Sequence, residues 1–412
     1  MKRYKNTKAS QYIIVGVILA SIVAAGFLST LLMQRVPFED YFVLPWAAGR
    51  TWLLEGVNPY DETINQIAEE VISESGYLAN LPAEKVLLLP MLDLVFYLPF
   101  SLIPYEISRV LWVTIMTIVV VLIGYFSFLL SNWQTKQTGK ILTFFAILLW
   151  VPGITSLVTG HLSPLIILLL VFSMYLFLQG QDTTAGFILS LTAGSFFISG
   201  LLIIIFLTYG IIKRRWSLIT AFSAGLTFLI IISLLLLPSW PQDWLRIIVA
   251  NYSNLNLVQT PLMSLASLLP GIESFLSIFL HIIFGAFYIY LLISLRTKSE
   301  RVFIWNTLAA TVIAYLLNIR GSIHYLFIVI PALLLVFRFL GERLGLFGQI
   351  VSWALIVLLV AGSWFLYLPV EIITTSSSLP LFIIWLPILI LLGVNWIRWW
   401  AVKIPKLPFE SF

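Results

Sequence analysis

Long apolar runs separated by short polar segments recur from one end of the chain to the other. A helix needs about 20 apolar residues to cross a hydrocarbon core roughly 30 Å thick, and the runs lack the alternation of barrel strands. The pattern predicts an all-α polytopic membrane protein with about 12 transmembrane segments, in one domain over residues 1–412. The predicted spans are 11–33, 107–131, 140–158, 162–179, 185–198, 200–212, 216–237, 274–295, 302–319, 323–340, 347–368 and 379–397.

Three of the apolar stretches are not simple spans. The runs 185–198 and 200–212 are each too short to cross the bilayer alone. They predict a helical hairpin that turns at Ser199-Gly200 and stops in or near the outer leaflet. A further stretch, 86–103, is interrupted by prolines and by Asp93, so we expect it to be re-entrant or to lie in the outer interface.

The basic residues orient the spans, because cytoplasmic loops carry an excess of Lys and Arg. With the N-terminus inside and 86–103 not crossing, most of the 23 Lys and Arg residues fall on the cytoplasmic side. This predicts a plasma-membrane protein with both termini in the cytoplasm and a large extracytoplasmic loop over about residues 34–106. The basic residues on the outer side are Arg35, Arg50, Lys85, Arg109, Arg246 and Arg320.

Two helices are predicted in this first external loop. The first runs to about Glu55, where Gly56 suits the left-handed residue that ends a helix. The second begins after Asp61, ends at Gly76 and carries apolar residues at helical spacing with glutamates opposite. Its anionic polar face favours docking on the protein over binding to acidic lipid.

Composition narrows the chemistry that such a protein can perform. The 412 residues are 60% hydrophobic and 10% charged, and they include no Cys, which removes disulfides and thiolate sites. The motifs of phosphate-binding loops, dinucleotide-binding turns and HExxH zinc sites do not occur. Basic residues are scattered over loops, which does not favour nucleic-acid binding. We expect neither a metal nor another cofactor.

Under the predicted topology, Asp40, His161, Arg320 and His324 fall on the outer side. Arg gives bidentate contacts to phosphate oxygens, and His adds a donor or a proton. Together with a carboxylate, they suit the handling of a lipid phosphate.

Each of these residues also has a structural interpretation. Asp40 is alternatively a helix cap. Arg320 is alternatively a residue whose side chain extends to the lipid headgroups. His161 is as readily explained by a hydrogen bond to a backbone carbonyl at a helix break. His281, inside a predicted span, is expected to be structural.

The sequence resembles the C-type polytopic glycosyltransferases that use polyprenyl-phosphate sugars, and most of all glycosyltransferase family 87. The likeness covers most of the chain. It rests on FEDYFVLPWAAGRTWLLEGVNPYD in the first loop, LLLPMLDLVFYLPFSLIPYEISRVLW, TGHLSPLIILLL, QTPLMSLAS and RGSIHYLFIVIPALL.

The resemblance implies an inverting transfer at the outer face, with polyprenyl phosphate as leaving group. It implies that Asp40 is the general base for the acceptor hydroxyl, although Glu39 competes for this role. Residues assigned to substrate binding are Arg320, His324, His161, Glu39 and Tyr60.

The chain departs from the family pattern in two places. His161 stands where the family usually has Gln, and the hairpin sequence AGSFFISGLL lacks the expected Lys-Pro. The function predicted is transfer of a hexose, with mannose favoured, from a polyprenyl-phosphate donor to an extracytoplasmic glycolipid or glycan. The alternatives are a lipid or solute transporter and a family member that binds glycolipid without turnover.

Overall fold

The computed structural model describes residues 27, 30–82, 87–133, 135–251, 260–297, 299–318, 323–367 and 381–403. Most of these residues are helical, and one two-stranded sheet of four residues lies in the first loop. The first predicted span, 11–33, lies almost wholly outside the described residues. The described part of the chain is therefore an all-α protein, as the apolar pattern predicts.

The helices are labelled in chain order. They are α1 (Val43–Glu55), α2 (Thr63–Ser75), α3 (Met91–Leu94), α4 (Leu98–Ser101), α5 (Tyr105–Ser131), α6 (Gln137–Leu149), α7 (Val151–Thr159), α8 (Ser163–Leu178), α9 (Asp182–Ser190), α10 (Phe196–Lys213), α11 (Trp216–Leu236), α12 (Trp240–Asn251), α13 (Pro261–Ala266), α14 (Glu273–Ser294), α15 (Glu300–Leu316), α16 (Ile330–Tyr367) and α17 (Leu381–Lys403). Two 3-10 segments, Leu295–Thr297 and Ile323–Val329, and the strands β1 (Phe38–Glu39) and β2 (Ala79–Asn80) complete the set.

Five described helices are long and apolar enough to cross a membrane, or six if the bent pair α6–α7 is one span. They are α5, α10, α11, α14 with its 3-10 extension, and the stretch Ile323–Phe365 that contains most of α16, in which two helices meet at a kink at Gly345. Several of the described helices thus have the length and composition of membrane spans. The full number of about 12 segments stays a prediction.

The predicted span 140–158 is broken in the structure. Its two parts, α6 and α7, meet at an angle of 53°, and Trp150 between them is extended. Pro152, in the first turn of α7, explains the break, because a proline ring clashes with the carbonyl four residues before it. Pro331 stands in the same position in α16, which follows the 3-10 segment Ile323–Val329.

The predicted pairing of α9 with α10 as a hairpin is not confirmed, because α9 packs against α8 and α11, and its turn was predicted in the wrong place. The chain leaves the helix after Ser190 and resumes at Phe196, whereas Ser199 and Gly200 lie inside α10. The Ser199 hydroxyl donates to the carbonyls of Thr192 and Ser195, at 2.8 and 3.1 Å. These bonds hold the first turn of α10 against the residues that precede it. Because α10 begins at Phe196, it is long enough to span a membrane.

The first loop follows its predicted pattern. Helix α1 ends at Gly56, whose φ of 73° is left-handed. Helix α2 ends at Gly76 in the same way, buries Ile64, Ala68 and Ile72, and exposes its glutamates. Docking of α2 on the protein is therefore confirmed. The described part of 86–103 forms only the four-residue helices α3 and α4, each far too short to cross a bilayer.

Helix α5 is the central packing element. Its 27 residues give it a length of about 40 Å, and it packs against α6, α8 and α16. Tyr105 lies at its first turn, and the Ser131 carbonyl at its other end accepts a bond of 2.9 Å from Arg338. The two ends of α5 therefore carry different polar groups, and those at the Tyr105 end form the site described below.

The absence of Cys from the sequence permits a direct test of the predicted orientation by single-cysteine labelling. We expect Glu70→Cys, exposed on α2, to react with a membrane-impermeant maleimide in intact cells. Thr183→Cys, exposed at the start of α9, is expected to react only after permeabilisation. Ile72→Cys is the buried control. Labelling of Thr183→Cys in intact cells would contradict the predicted orientation.

Candidate functional site

The backbone of the Phe38–Tyr41 segment is held from two sides. Strand β1 pairs in parallel with β2, and the Asp40 N–H donates to the Asn80 carbonyl at 2.9 Å. On the other side, the Tyr41 N–H donates to the carbonyl of Thr159 at 2.8 Å, at the end of α7. The segment is extended, so its successive side chains point to opposite sides.

Asp40 lies on the side that faces α5 and has no exposed surface. Its Oδ1 accepts the N–H of Phe42 at 2.7 Å, the kind of bond that caps the turn before a helix. Its Oδ2 accepts the Tyr105 hydroxyl and Nε of Arg109, the latter at 3.0 Å. Both carboxylate oxygens therefore have donors within the protein.

Arg109 is as fully buried as Asp40. Its Nη2 donates to the carbonyl of Val158, and its guanidinium carbon lies over the rings of Phe38 and Phe42 at 5.9 and 5.7 Å. We call Asp40, Tyr105 and Arg109 the buried triad. It connects the first loop, helix α5 and the end of α7.

Gly160 completes the connection between α7 and α8. It has φ of 70°, and its carbonyl accepts Nε1 of Trp112 at 2.9 Å. A Cβ at this position would lie 2.8 Å from Cβ of Phe42 and 2.9 Å from Nη1 of Arg109. Both the backbone conformation and the space beside the triad therefore require glycine.

A second group of side chains lies next to the triad. The rings of His161 and His324 stack with centroids 4.7 Å apart, and the Tyr41 ring lies 5.1 and 5.7 Å from them. Tyr325 packs edge-on against His161 at 5.3 Å, and the Tyr41 hydroxyl donates to Oε2 of Glu39 at 3.0 Å. We call these five residues the histidine cluster.

The two histidines are oriented by neighbouring serines. Nδ1 of His161 accepts the Ser163 N–H at 3.0 Å, which leaves Nε2 as the N–H of the neutral ring. Nδ1 of His324 lies 3.2 Å from the Ser156 hydroxyl, and its carbonyl accepts the Ser163 hydroxyl at 2.8 Å. His161 is thus placed at a helix break, as the structural interpretation expects, and its Nδ1 accepts an N–H there.

Burial distinguishes the two groups. Tyr41, His161 and Tyr325 are half-buried. Glu39 and His324 are more deeply buried, with 8% and 6% of their surface exposed. The histidine cluster therefore has a partly open side, whereas the buried triad lies behind it.

The remaining predicted site residues are placed as follows. Arg320 lies outside the described residues. Tyr60 is buried and donates to the Leu89 carbonyl at 3.1 Å, so it anchors the segment before α3. Burial, with Asp93 and Asp243 nearby, raises the pKa of Tyr60, so it stays a neutral donor. His281 bonds through Nδ1 to Ser277 and through Nε2 to Thr260, as a structural residue would.

The connection between α9 and α10 also contacts an acidic side chain. Oδ2 of the buried Asp93 accepts the Ser195 hydroxyl at 2.6 Å, and a Cβ at Gly194 would overlap Oδ1. A carboxylate therefore lies where the family pattern led us to look for a lysine.

Sequence reasoning missed Arg109 and Asp93 as site residues. Arg109 was counted only as a topology charge, although an arginine at the start of an apolar span is itself a signal of function. Asp93 was noted only as an interruption of an apolar stretch. The partner of each is distant in sequence, so neither contact was readable from local pattern.

The chain has no significant match among family models, curated proteins or solved structures. In the described ranges, no three His, Asp or Glu side chains are grouped so as to hold a metal ion.

Gly160 offers a test of the packing beside the triad. We expect Gly160→Ala to lower the free energy of unfolding by about 1–3 kcal/mol from backbone strain, with more lost as Phe42 and Arg109 move. Thermal unfolding of detergent-solubilised protein measures this. Gly200→Ala is the control, because the nearest atom to an added Cβ is 4.0 Å away and alanine favours a helix interior. Equal effects of the two changes would contradict the prediction.

Proposed function

We propose that the protein is a C-type glycosyltransferase of the plasma membrane with its active site on the extracytoplasmic side. It transfers a hexose, with mannose the first candidate, from a polyprenyl-phosphate donor to a glycolipid or glycan. The observation that carries this proposal is the meeting of Glu39, His161 and His324 beside the buried triad. Residues from three distant parts of the chain thereby place a carboxylate and two imidazoles at one partly open position.

The chemistry needs few groups. The acceptor hydroxyl attacks the anomeric carbon as the bond from that carbon to the phosphate oxygen breaks, and its proton passes to a carboxylate. The phosphate leaves with the bonding electron pair. A phosphate that is already ionised near neutral pH needs no strong general acid, so one carboxylate is sufficient.

In this proposal, the phosphate binds at the histidine cluster. The Nε2–H of His161 donates to a phosphate oxygen, and His324 supports the stacked ring beside it. Preorganised donors aimed at developing negative charge are the largest usual contribution to catalysis. Arg320, four residues before His324 in the chain, is proposed to supply a cation. The base is Glu39 or Asp40, and the family resemblance favours Asp40.

A transporter is the main alternative. Transporters with inverted repeats use paired broken helices at corresponding positions. Among the described helices, α6–α7 is one bent pair. Pro152 explains this bend, and the histidine cluster lies beyond the other end of α7, after Thr159.

The proposal is tested by transfer in nanodiscs, with labelled polyprenyl-phosphate mannose as donor and a membrane-lipid extract as acceptor. We expect product from the wild type. His161→Ala should lower kcat by about 10²–10³-fold, the usual effect of removing one such donor. His161→Gln is the matched control, because an amide can still donate to phosphate and accept from Ser163, and it should retain most of the activity.

Three outcomes would count against the proposal. Equal activity of His161→Ala and the wild type would remove the histidine cluster from the reaction. Donor binding by the wild type without product from any acceptor extract would favour a protein that binds glycolipid without turnover. No donor binding at all would exclude polyprenyl-phosphate mannose as the substrate.

A further inference from the structure

The two neighbouring carboxylates of the first loop have different partners: Asp40 has no exposed surface and binds Arg109, whereas Glu39 is 8% exposed and binds Tyr41. We infer that Glu39 is the carboxylate that accepts the proton of the acceptor hydroxyl, and that Asp40 and Arg109 form a positioning pair that holds Glu39 in place. The inference rests on the proposed function and specifies its catalytic base. It differs from the assignment implied by the family resemblance, which favours Asp40.

The backbone separates the two residues. In an extended segment, alternate side chains share a face. Phe38 and Asp40 both lie against Arg109, at 5.9 Å from ring centroid to guanidinium carbon and at 3.0 Å from Oδ2 to Nε. Glu39 and Tyr41 share the other face and are joined by their hydrogen bond of 3.0 Å. The strand therefore directs Asp40 toward α5 and Glu39 toward the histidines.

Asp40 has no room for a substrate. Its side chain has no exposed surface, and its oxygens already accept bonds from Phe42, Tyr105 and Arg109. An acceptor hydroxyl would have to displace Tyr105 or Arg109 from inside the protein. Removing one partner of a buried ion pair leaves an uncompensated charge, so this displacement is unfavourable.

Glu39 is next to the groups that would hold the donor. Its carboxylate contacts the hydroxyl of Tyr41, and the Tyr41 ring lies against both His161 and His324. A hydroxyl bound beside Tyr41 would be within reach of the carboxylate and close to a phosphate on the imidazoles. As the new glycosidic bond forms, the proton moves to Glu39 and the electron pair of the broken bond moves to the phosphate.

The buried pair has a distinct role in this arrangement. A shift of one residue in the pairing of β1 with β2 would exchange the faces of Glu39 and Asp40. The three bonds that the Asp40 carboxylate accepts, from the Phe42 N–H, the Tyr105 hydroxyl and Nε of Arg109, oppose this shift, because all three would break. The pair therefore fixes which carboxylate faces the histidine cluster.

Three variants test the inference in the nanodisc assay, with kcat, KM, the pH profile, donor binding and thermal unfolding as readouts. Glu39→Gln should lose about 10²–10⁴-fold in kcat, the usual contribution of a general base. It should keep donor binding and the wild-type Tm, and lose the acidic limb of the pH profile. Glu70→Gln, exposed on α2, is the matched control and should behave as the wild type.

The other two variants separate position from chemistry. Asp40→Asn alone should lower Tm, because Arg109 is then buried without its charge partner. The double variant Asp40→Asn/Arg109→Gln removes both charges and should recover part of that loss in Tm. Its kcat should fall only on the order of tenfold through looser placement of Glu39, and it should keep the acidic limb of the pH profile.

The outcomes distinguish this inference from the proposed function. An active wild type with an equally active Glu39→Gln variant would overturn the inference and leave the proposed function intact. The same holds if the folded double variant loses as much kcat as we expect for Glu39→Gln and also loses the acidic limb, since Asp40 would then be the base. A wild type that neither binds the donor nor forms product would overturn the proposed function, and the assignment of Glu39 with it.

Discussion

The arrangement of the site depends on one buried ion pair, between Asp40 and Arg109. Both side chains are completely buried, and removal of one partner from such a pair typically costs about 3–5 kcal/mol. The pair is stabilised by the bonds of Asp40 with the Phe42 N–H and the Tyr105 hydroxyl and of Arg109 with the Val158 carbonyl, although Nη1 of Arg109 has no hydrogen-bond partner among the described residues. Since these donors and acceptors belong to the first loop, α5 and α7, the pair holds three distant segments together. Glu39, Tyr41 and His161 of the histidine cluster lie on or next to these segments, whereas His324 and Tyr325 come from the 3-10 segment Ile323–Val329.

An apolar helical protein has few places where polar chemistry can be exposed, and here they are breaks in helices. The α6–α7 pair bends before Pro152, the chain reverses at Gly160, and a 3-10 segment precedes Pro331. Each break frees backbone groups that a regular helix would occupy. Ser163, His161 and His324 lie at these breaks, and they bond to one another and to Ser156 of α7. The helix breaks thus bring the two histidines together.

The sequence predicts local features much better than long-range ones. Gly56 and Gly76 mark the ends of α1 and α2, because a left-handed helix end has a clear residue preference. The turn between α9 and α10 was predicted in the wrong place, because a Ser-Gly pair is typical of a break in a helix. In the structure, the Ser199 hydroxyl bonds back to the carbonyls of Thr192 and Ser195, and the backbone at Ser199 and Gly200 is helical.

The candidate site was also predictable only in its local features. Charge distribution along the chain placed Asp40, His161 and His324 on one side of the membrane, and the structure brings Asp40 next to the two histidines. The sequence did not show that Arg109 would bind Asp40, because the two residues are 69 positions apart and no local pattern connects them. The parallel pairing of β1 with β2 was missed as well, since two-residue strands give no periodic signal.

The ion pair also bears on how an anionic donor would be held. Arg109 pairs with the first-loop carboxylate of Asp40, which balances its charge. At the connection between α9 and α10, Ser195 donates to the Asp93 carboxylate of α3, and residues 191–195 contain no lysine. In the proposed reaction, the described residues therefore contribute neutral N–H donors such as that of His161 to phosphate binding, and the positive charge is assigned to Arg320. Because neutral donors bind an anion more weakly than cations do, their placement by the buried pair becomes correspondingly more important.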